Sequence, residues 1–293
     1  KPRFYNNDKY SLQAEYRHLT KNTQNILDTS LTTGHDSSKN DLNDNRSHFF
    51  SNSLIDLNFN NYDYSNLEIQ LQKTSNDTYL KLFNFETPLI TDLSTLNSFV
   101  KLDFSNDNFD FDGSLEVYEK LGNPNSDRYE FILPNYNLVK FINTDDKLNG
   151  TLSFSSTGSN NFYNTDVEEM QIINDLSYDS EDIYTNTGIK NNYSLLLKNV
   201  NSDGENSSKY KNNFDSEILS SFMFETSYPL IREGLDFNNY LTPKLSIKYS
   251  PNNTKNIKDE DRKLNVDNIF SMNRIGFSDT VESGYSLTIG SEF

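Results

Sequence analysis

Cysteine and tryptophan do not occur in this chain, and histidine occurs only three times in 293 residues. Without cysteine no disulfide and no thiolate metal site can form within it, and the redox character of its compartment stays open. The histidines, His18, His35 and His48, stand in unrelated polar contexts, and no GxSxG, HExxH or phosphate-binding glycine loop accompanies them. They are expected at the surface, and no catalytic residue, metal ligand or cofactor site is assigned. Basic residues are scarce as well, 26 Lys and Arg against 43 Asp and Glu, for a net charge of −17. With no basic stripe to displace counterions from phosphates, nucleic acid is not an expected partner. Long apolar runs are missing: scraps such as SLLLK fall far short of the ~18 residues of a spanning helix. If a membrane is crossed, helices are not the means. Hydrophobic residues make up only 34% of the chain and mean hydropathy is −0.76, so a conventional globule of this size would be short of core.

What the chain does have is aromatic rings, 21 Phe and 18 Tyr, which acidic disordered chains lack and strands favour. It also has alternation. In NLEIQLQ, Leu67, Ile69 and Leu71 oppose Glu68, Gln70 and Gln72, a period that no helix shows. The same period runs through KLSIKYS, where Leu245, Ile247 and Tyr249 oppose Lys244, Ser246 and Lys248. It recurs in GYSLTIGSEF, with Tyr285, Leu287, Ile289 and Phe293 on one side. Gly150 to Phe154, Tyr10 to Tyr16 and Ser53 to Phe59 are weaker versions. Clusters of Asn, Asp, Ser and Gly separate these runs, with long polar loops expected at 32–47 and 201–213, and the mixed-sign DEDRK at 259–263 read as a solvated loop. TYLKLF is the exception, since Tyr79, Leu80, Leu82 and Phe83 fit one helical turn. No self-similar block of solenoid or propeller length is visible.

The stretch NDNFDFDGSLEVYEKL, residues 106–121, admits two readings. Oxygen side chains at Asn108, Asp110 and Asp112, then Gly113 and Glu119, have the spacing of a helix-flanked calcium loop. By twos, however, Phe109, Phe111, Leu115 and Val117 share one face, with Asp110, Asp112, Ser114 and Glu116 on the other. The apolar parity continues beyond Gly113, and the helical flanks a calcium loop needs are missing. The stretch reads as a tight turn at SNDN followed by a strand from Phe109 to Leu121.

Three all-β architectures fit such alternation: a soluble sandwich, a β-helix and a transmembrane barrel. Several runs approach the ~10 residues of tilted, membrane-crossing strands. A barrel wall also needs no oil-like core, because its apolar face meets lipid and its polar face a wet lumen. The expected fold is therefore an antiparallel transmembrane β-barrel, here an incomplete one or an open sheet of about 12 strands. Leu67, Ile69, Leu71, Phe109, Phe111, Leu115, Val117, Leu245, Ile247, Leu287 and Ile289 would face lipid. Glu68, Gln70, Asp110, Asp112 and Glu116 would face the lumen. A soluble or surface-exposed binding module, such as an adhesin or β-helix, and a generic porin or receptor barrel are the alternatives.

The run LTPKLSIKYSPN followed by DEDRKLNVDNIFSMNRIGFSDTVESG resembles the middle of the barrel of the LPS-assembly outer-membrane protein LptD family. Pro243 and Pro251, Ile269, Phe270, Asn273, Arg274, Asp279, Val281, Glu282 and Gly284 carry the pattern. The opening KPRFYNNDKYSLQAEYRHL, with Tyr16, Arg17 and Leu19, is similar to that family's second and third strands. Phe277 and Thr280 depart from it, standing where the family has Gly and Arg. The resemblance implies that residues 1–293 are part of the C-terminal barrel domain, with the periplasmic jelly roll and the closing strands absent. It implies transport of lipopolysaccharide to the outer leaflet of a Gram-negative outer membrane, with no enzymatic activity. The partners would be an LptE-like lipoprotein plug and, through the missing N-terminal domain, an LptA-like periplasmic bridge. It also places Pro2 at a lateral gate, where a proline lacks the donor that strand pairing requires.

Overall fold

The computed structural model describes residues 1–5, 9–36, 43–90, 92–123, 127–144, 149–163, 166–234, 238–253 and 264–293. The chain is all-β, with sixteen strands and one short helix among these residues. The strands are β1 (Pro2–Tyr5), β2 (Lys9–Leu19), β3 (Thr23–Asp36), β4 (Asn43–Asp56), β5 (Tyr64–Thr74), β6 (Thr95–Asn106), β7 (Phe109–Lys120) and β8 (Tyr129–Ile142). They continue as β9 (Gly150–Tyr163), β10 (Val167–Ser180), β11 (Ile183–Tyr184), β12 (Lys190–Glu205), β13 (Asp215–Ser227), β14 (Leu230–Glu233), β15 (Asn238–Ser250) and β16 (Gly284–Glu292). All belong to one open antiparallel sheet in which β1 to β10 follow in chain order, then β12, β13 and β15. β11 pairs with β12, while β14 and β16 both pair with β15.

Sixteen strands exceed the dozen expected because β1, β11 and β14 have only four, two and four residues, and because β8 carries consecutive apolar residues, Phe131, Ile132 and Leu133, which hide its period. Residues 32–47 were expected to form a loop but are mostly strand, β3 running to Asp36 and β4 starting at Asn43; 37–42 lie outside the described residues. Similarly, β12 extends to Glu205 into the expected 201–213 loop. The Ser53–Phe59 alternation stops early, at Asp56. There the Asp56 carboxylate accepts the Asn58 N–H at 2.9 Å and Asn58 turns the chain with φ 51°. The DEDRK run lies outside the described residues.

Two compact units divide the chain: Lys1–Leu138 with Gly158–Met170 and Asp203–Asn213, and Val139–Thr157 with Gln171–Ser202 and Phe214–Phe293. In the first, β5, β6 and β7 form ladders that set the faces. Ile69, Val100 and Leu115 stand in one cross-strand row, and Gln70, Phe99 and Glu116 in the next. The 106–121 stretch is strand from Phe109, as the period-two reading has it. Gly113 allows the Phe111 ring to lie over it, since a Cβ there would stand 2.8 Å from that ring.

Burial runs opposite to that of a water-soluble globule. Leu71 is 50% exposed beside Gln72 at 8%, and Leu12 is 54% exposed beside Gln13 at 4%. In the second unit Ile247 is 46% exposed beside Lys248 at 3%. Two small apolar clusters exist, and each is built where a loop folds onto the polar face. One gathers Phe50, Tyr79, Leu80, Phe85, Leu96 and Leu121; the other gathers Ile173, Val200, Leu219 and Val281.

Candidate functional site

The lumen candidates of the first unit do come together on one face. Glu68 stands in a row with Lys101 and Ser114, Gln70 with Phe99 and Glu116, and Asn66 with Asp103 and Asp112. Neutral donors satisfy the carboxylates. Asn52 Nδ2 donates to Glu68 at 2.6 Å, and Ser114 and Tyr118 donate to Glu116 at 2.7 and 2.6 Å. Asn137 donates to Asp112 at 2.9 Å, and Ser105 donates to Asp110. These donors use part of each carboxylate's accepting capacity and leave further lone pairs open. No grouping of three or more metal-ligating side chains occurs among the described residues.

The opposite face carries the apolar candidates. Leu67, Ile69, Leu71, Leu115 and Val117 share it with Phe109 and Phe111. In the second unit Leu245 pairs with Ile289 and Ile247 with Leu287. Near the β6–β7 turn, Tyr62, Phe104 and Phe109 cluster with ring centroids 5.1 and 6.0 Å apart. Tyr249 stacks on Tyr285 at 4.5 Å.

Onto the polar face of β2 to β4 folds the 75–90 loop, which contains the expected short helix, α1 (Tyr79–Phe83), closed by Asn84 in the left-handed region. The Tyr79 hydroxyl lies 2.8 Å from both Ser30 Oγ and Thr32 Oγ1. Ser30 Oγ stands 2.6 Å from His48 Nδ1, and His48 Nε2 stands 3.1 Å from Asp28. Gln13 donates to both Asp28 oxygens and to the Glu86 carbonyl. His48 is thus not a surface residue but 1% exposed, stacked on Phe50 and edged by Phe85. Its strand parity aims it at the loop, and the loop covers it. Ser30, His48 and Asp28 have the spacing of a nucleophile, base and orienting acid, and the Tyr79 hydroxyl, 2.8 Å from the serine hydroxyl, covers it in this structure.

At the start of this loop, Arg128 grips Asp77 with two hydrogen bonds of 3.0 and 2.6 Å. The guanidinium holds the Asp77 carboxyl below its ordinary value of 3.8. A depressed folded value means that the contact stabilises the loop above that pH and is lost as pH falls through the folded value. Backbone amide resonances of Asn76 to Thr78 are therefore expected to stay fixed down to pH ~4 and to shift below it. Asp77→Asn should remove the titration, and an unchanged titration in that variant refutes the assignment.

In the second unit a strandless segment, 264–283, folds onto the polar face of β12 to β16. Arg274 Nε donates to Glu282 at 2.8 Å, and Lys248 Nζ donates to the same carboxylate at 2.7 Å and to the Met272 carbonyl at 3.1 Å. Asn273 donates to the Phe277 carbonyl, and the Phe270 ring lies 3.0 Å from where a Cβ of Gly290 would stand. Thr280 and Val281 are buried. Phe270, Asn273, Arg274, Asp279 and Glu282 thus share one folded loop. Pro243 and Pro251 lie in and just after β15, and Gly284 opens β16 with φ 89°. Pro2 begins β1 opposite Leu12, and β1 pairs only with β2 among the described residues. No protein-family model matches this sequence, and no curated protein sequence matches it.

Proposed function

We propose that the chain forms part of the wall of an outer-membrane β-barrel that delivers lipopolysaccharide to the outer leaflet, one face against lipid and the other lining a wet conduit. One observation carries this reading: polar side chains are buried while their apolar strand neighbours are exposed. Fully burying a large apolar side chain is worth roughly 1.5–3 kcal/mol. A dozen left about half exposed to water would forgo on the order of 10 kcal/mol, comparable to a whole domain's net stability of ~5–15 kcal/mol. Against lipid the loss disappears. The aromatic cluster beside the β6–β7 turn and the Tyr249–Tyr285 stack suit an interfacial girdle.

A soluble module would bury Leu71, Ile247 and Ile289 between sheets, whereas all three are exposed. The resemblance adds the cargo and an LptE-like lipoprotein and LptA-like bridge as partners, and with Pro2 a weakened pairing at the seam. A generic porin shares the wall but not those features.

Because the protein lacks tryptophan, a single introduced one reports its own surroundings. In vesicles of brominated phosphatidylcholine, Leu71→Trp, Ile247→Trp and Ile289→Trp are expected to be strongly quenched, and Gln70→Trp to be quenched instead by aqueous iodide. Iodide quenching at all four positions sinks the wall. Photocrosslinkers at Glu68 and Asp112 in cells should capture lipopolysaccharide; an intact wall without any capture removes the cargo and leaves a plain porin.

A further inference from the structure

Arg46, on β4, is 8% exposed and has no carboxylate partner among the described residues. Among the described residues its one hydrogen bond is a long contact, 3.4 Å, from Nη1 to the Thr78 hydroxyl, and its Nε is unsatisfied. Leaving a guanidinium buried and unpaired is costly in any protein. In a chain of net charge −17, carboxylates to pair with it are abundant. The nearest part of the covering loop does carry one, Asp77, but that side chain is turned onto Arg128. Around Arg46 the polar face is also under-satisfied: Ser11 Oγ, Gln13 Oε1 and Thr74 Oγ1 are buried without partners.

We infer that Arg46, with Ser30, Thr32 and His48, forms a binding site for a phosphorylated sugar, which the 75–90 loop occupies with its own side chains. The Tyr79 hydroxyl, held by Ser30 and Thr32, stands in for a sugar hydroxyl, and Thr78 stands in at the guanidinium. Arg46 is directly opposite Thr32, and His48 is opposite Ser30, so the anion and hydroxyl positions are adjacent on one face. Asp28 is four residues from Thr32, ~13 Å along the strand, and both its oxygens already accept hydrogen bonds from Gln13. At that separation its repulsion of an anion seated at Arg46 is weak beside the attraction of the adjacent guanidinium. Planar guanidinium forks bind phosphate through two parallel bonds, which replaces the single long contact to Thr78. The inference rests on the polar face being the wet side of a conduit, and names where an anionic glycan would touch it.

The test is titration of the full chain in detergent micelles with glucose 6-phosphate, inorganic phosphate and glucose, followed by calorimetry and amide exchange. Glucose 6-phosphate is expected to bind best, phosphate weakly and glucose not measurably. Binding should speed exchange in residues 78–84 as the loop lifts. Arg46→Gln should abolish binding. Tyr79→Phe, which removes the built-in competitor's two hydrogen bonds, should tighten it about tenfold. Equal binding by wild type and Arg46→Gln overturns the site, as does no binding by either wild type or Tyr79→Phe. Phosphate binding as tight as the sugar phosphate overturns the saccharide part. Any of these failures with the bilayer-facing tryptophans still quenched by brominated lipid leaves the wall standing.

Discussion

Ile247→Lys is expected to destabilise the bilayer-inserted protein by about 2–4 kcal/mol, the cost of a lysine on the lipid face near the membrane midplane. The same substitution in a water-soluble sheet would be nearly neutral, within roughly 0.5 kcal/mol, because Ile247 is already 46% exposed. The two expectations differ by more than any context effect. Ile247 lies between Phe224 of β13 and Leu287 of β16 in one apolar row, so no carboxylate is at hand to receive the ammonium. Gln70→Lys is the matched control. Gln70 lies on the polar face of β5, in one row with Phe99 and Glu116 and two residues from Glu68, where a new cation finds acceptors and water, and a change below about 1 kcal/mol is expected. Guanidinium unfolding from vesicles of defined thickness measures both. Two small values would place the apolar face in water and end the conduit reading.

The parts of this architecture that could be read from the sequence are those where the two faces differ chemically. β5, β7, β15 and β16 declare themselves because Leu67, Ile69, Leu115, Ile247 and Ile289 alternate with charged or hydroxyl side chains, and a one-residue slip would invert both faces. The segregation of apolar from polar side chains onto two faces was legible for the same reason. α1 was legible because Tyr79, Leu80, Leu82 and Phe83 break the period. β8 was not, because Phe131, Ile132 and Leu133 follow one another without alternation, and β9 was legible only from Gly150 to Phe154, beyond which Ser, Thr and Asn occupy both faces. Nor was the docking of either inward loop. His48 looks like a surface histidine until Tyr79, thirty-one residues on, closes over it. Arg46 looks like an ordinary surface cation until the ladder sets it opposite Thr32 and the loop buries it. Such contacts are between residues whose sequence separation carries no periodic signal, and only the completed sheet brings them together.

The inward loop of the second unit carries the other large effect. Lys248 and Arg274 are 4% and 11% exposed in their side chains and share one carboxylate, Glu282, itself 30% exposed. Removing a single partner of a buried ion pair typically costs ~3–5 kcal/mol, because the remaining charge is left without compensation. Glu282→Ala strands two cations, softened by the partial exposure, and is expected to cost about 3 kcal/mol. Arg274→Ala leaves Lys248 and Glu282 as a one-to-one pair and should cost only about 1 kcal/mol. Val281, fully buried beside Glu282 in the cluster with Ile173, Val200 and Leu219, should then be released in the first variant and retained in the second. Acid should imitate the first. Burial pushes the Glu282 carboxyl up, but the hydrogen bonds from Arg274 and Lys248 outweigh it and hold the group below its ordinary value of 4.5. With the folded value depressed, the pair stabilises the loop above that pH and ceases to do so as pH falls through the folded value. A sole tryptophan at Phe270, facing Gly290, gives the readout. Its emission should redden on acidification in the wild-type background, be red throughout in Glu282→Ala, and stay blue near neutral pH in Arg274→Ala. If Glu282→Ala unfolds within 1 kcal/mol of the parent and its tryptophan remains blue, the carboxylate is not what holds the 264–283 segment to the polar face.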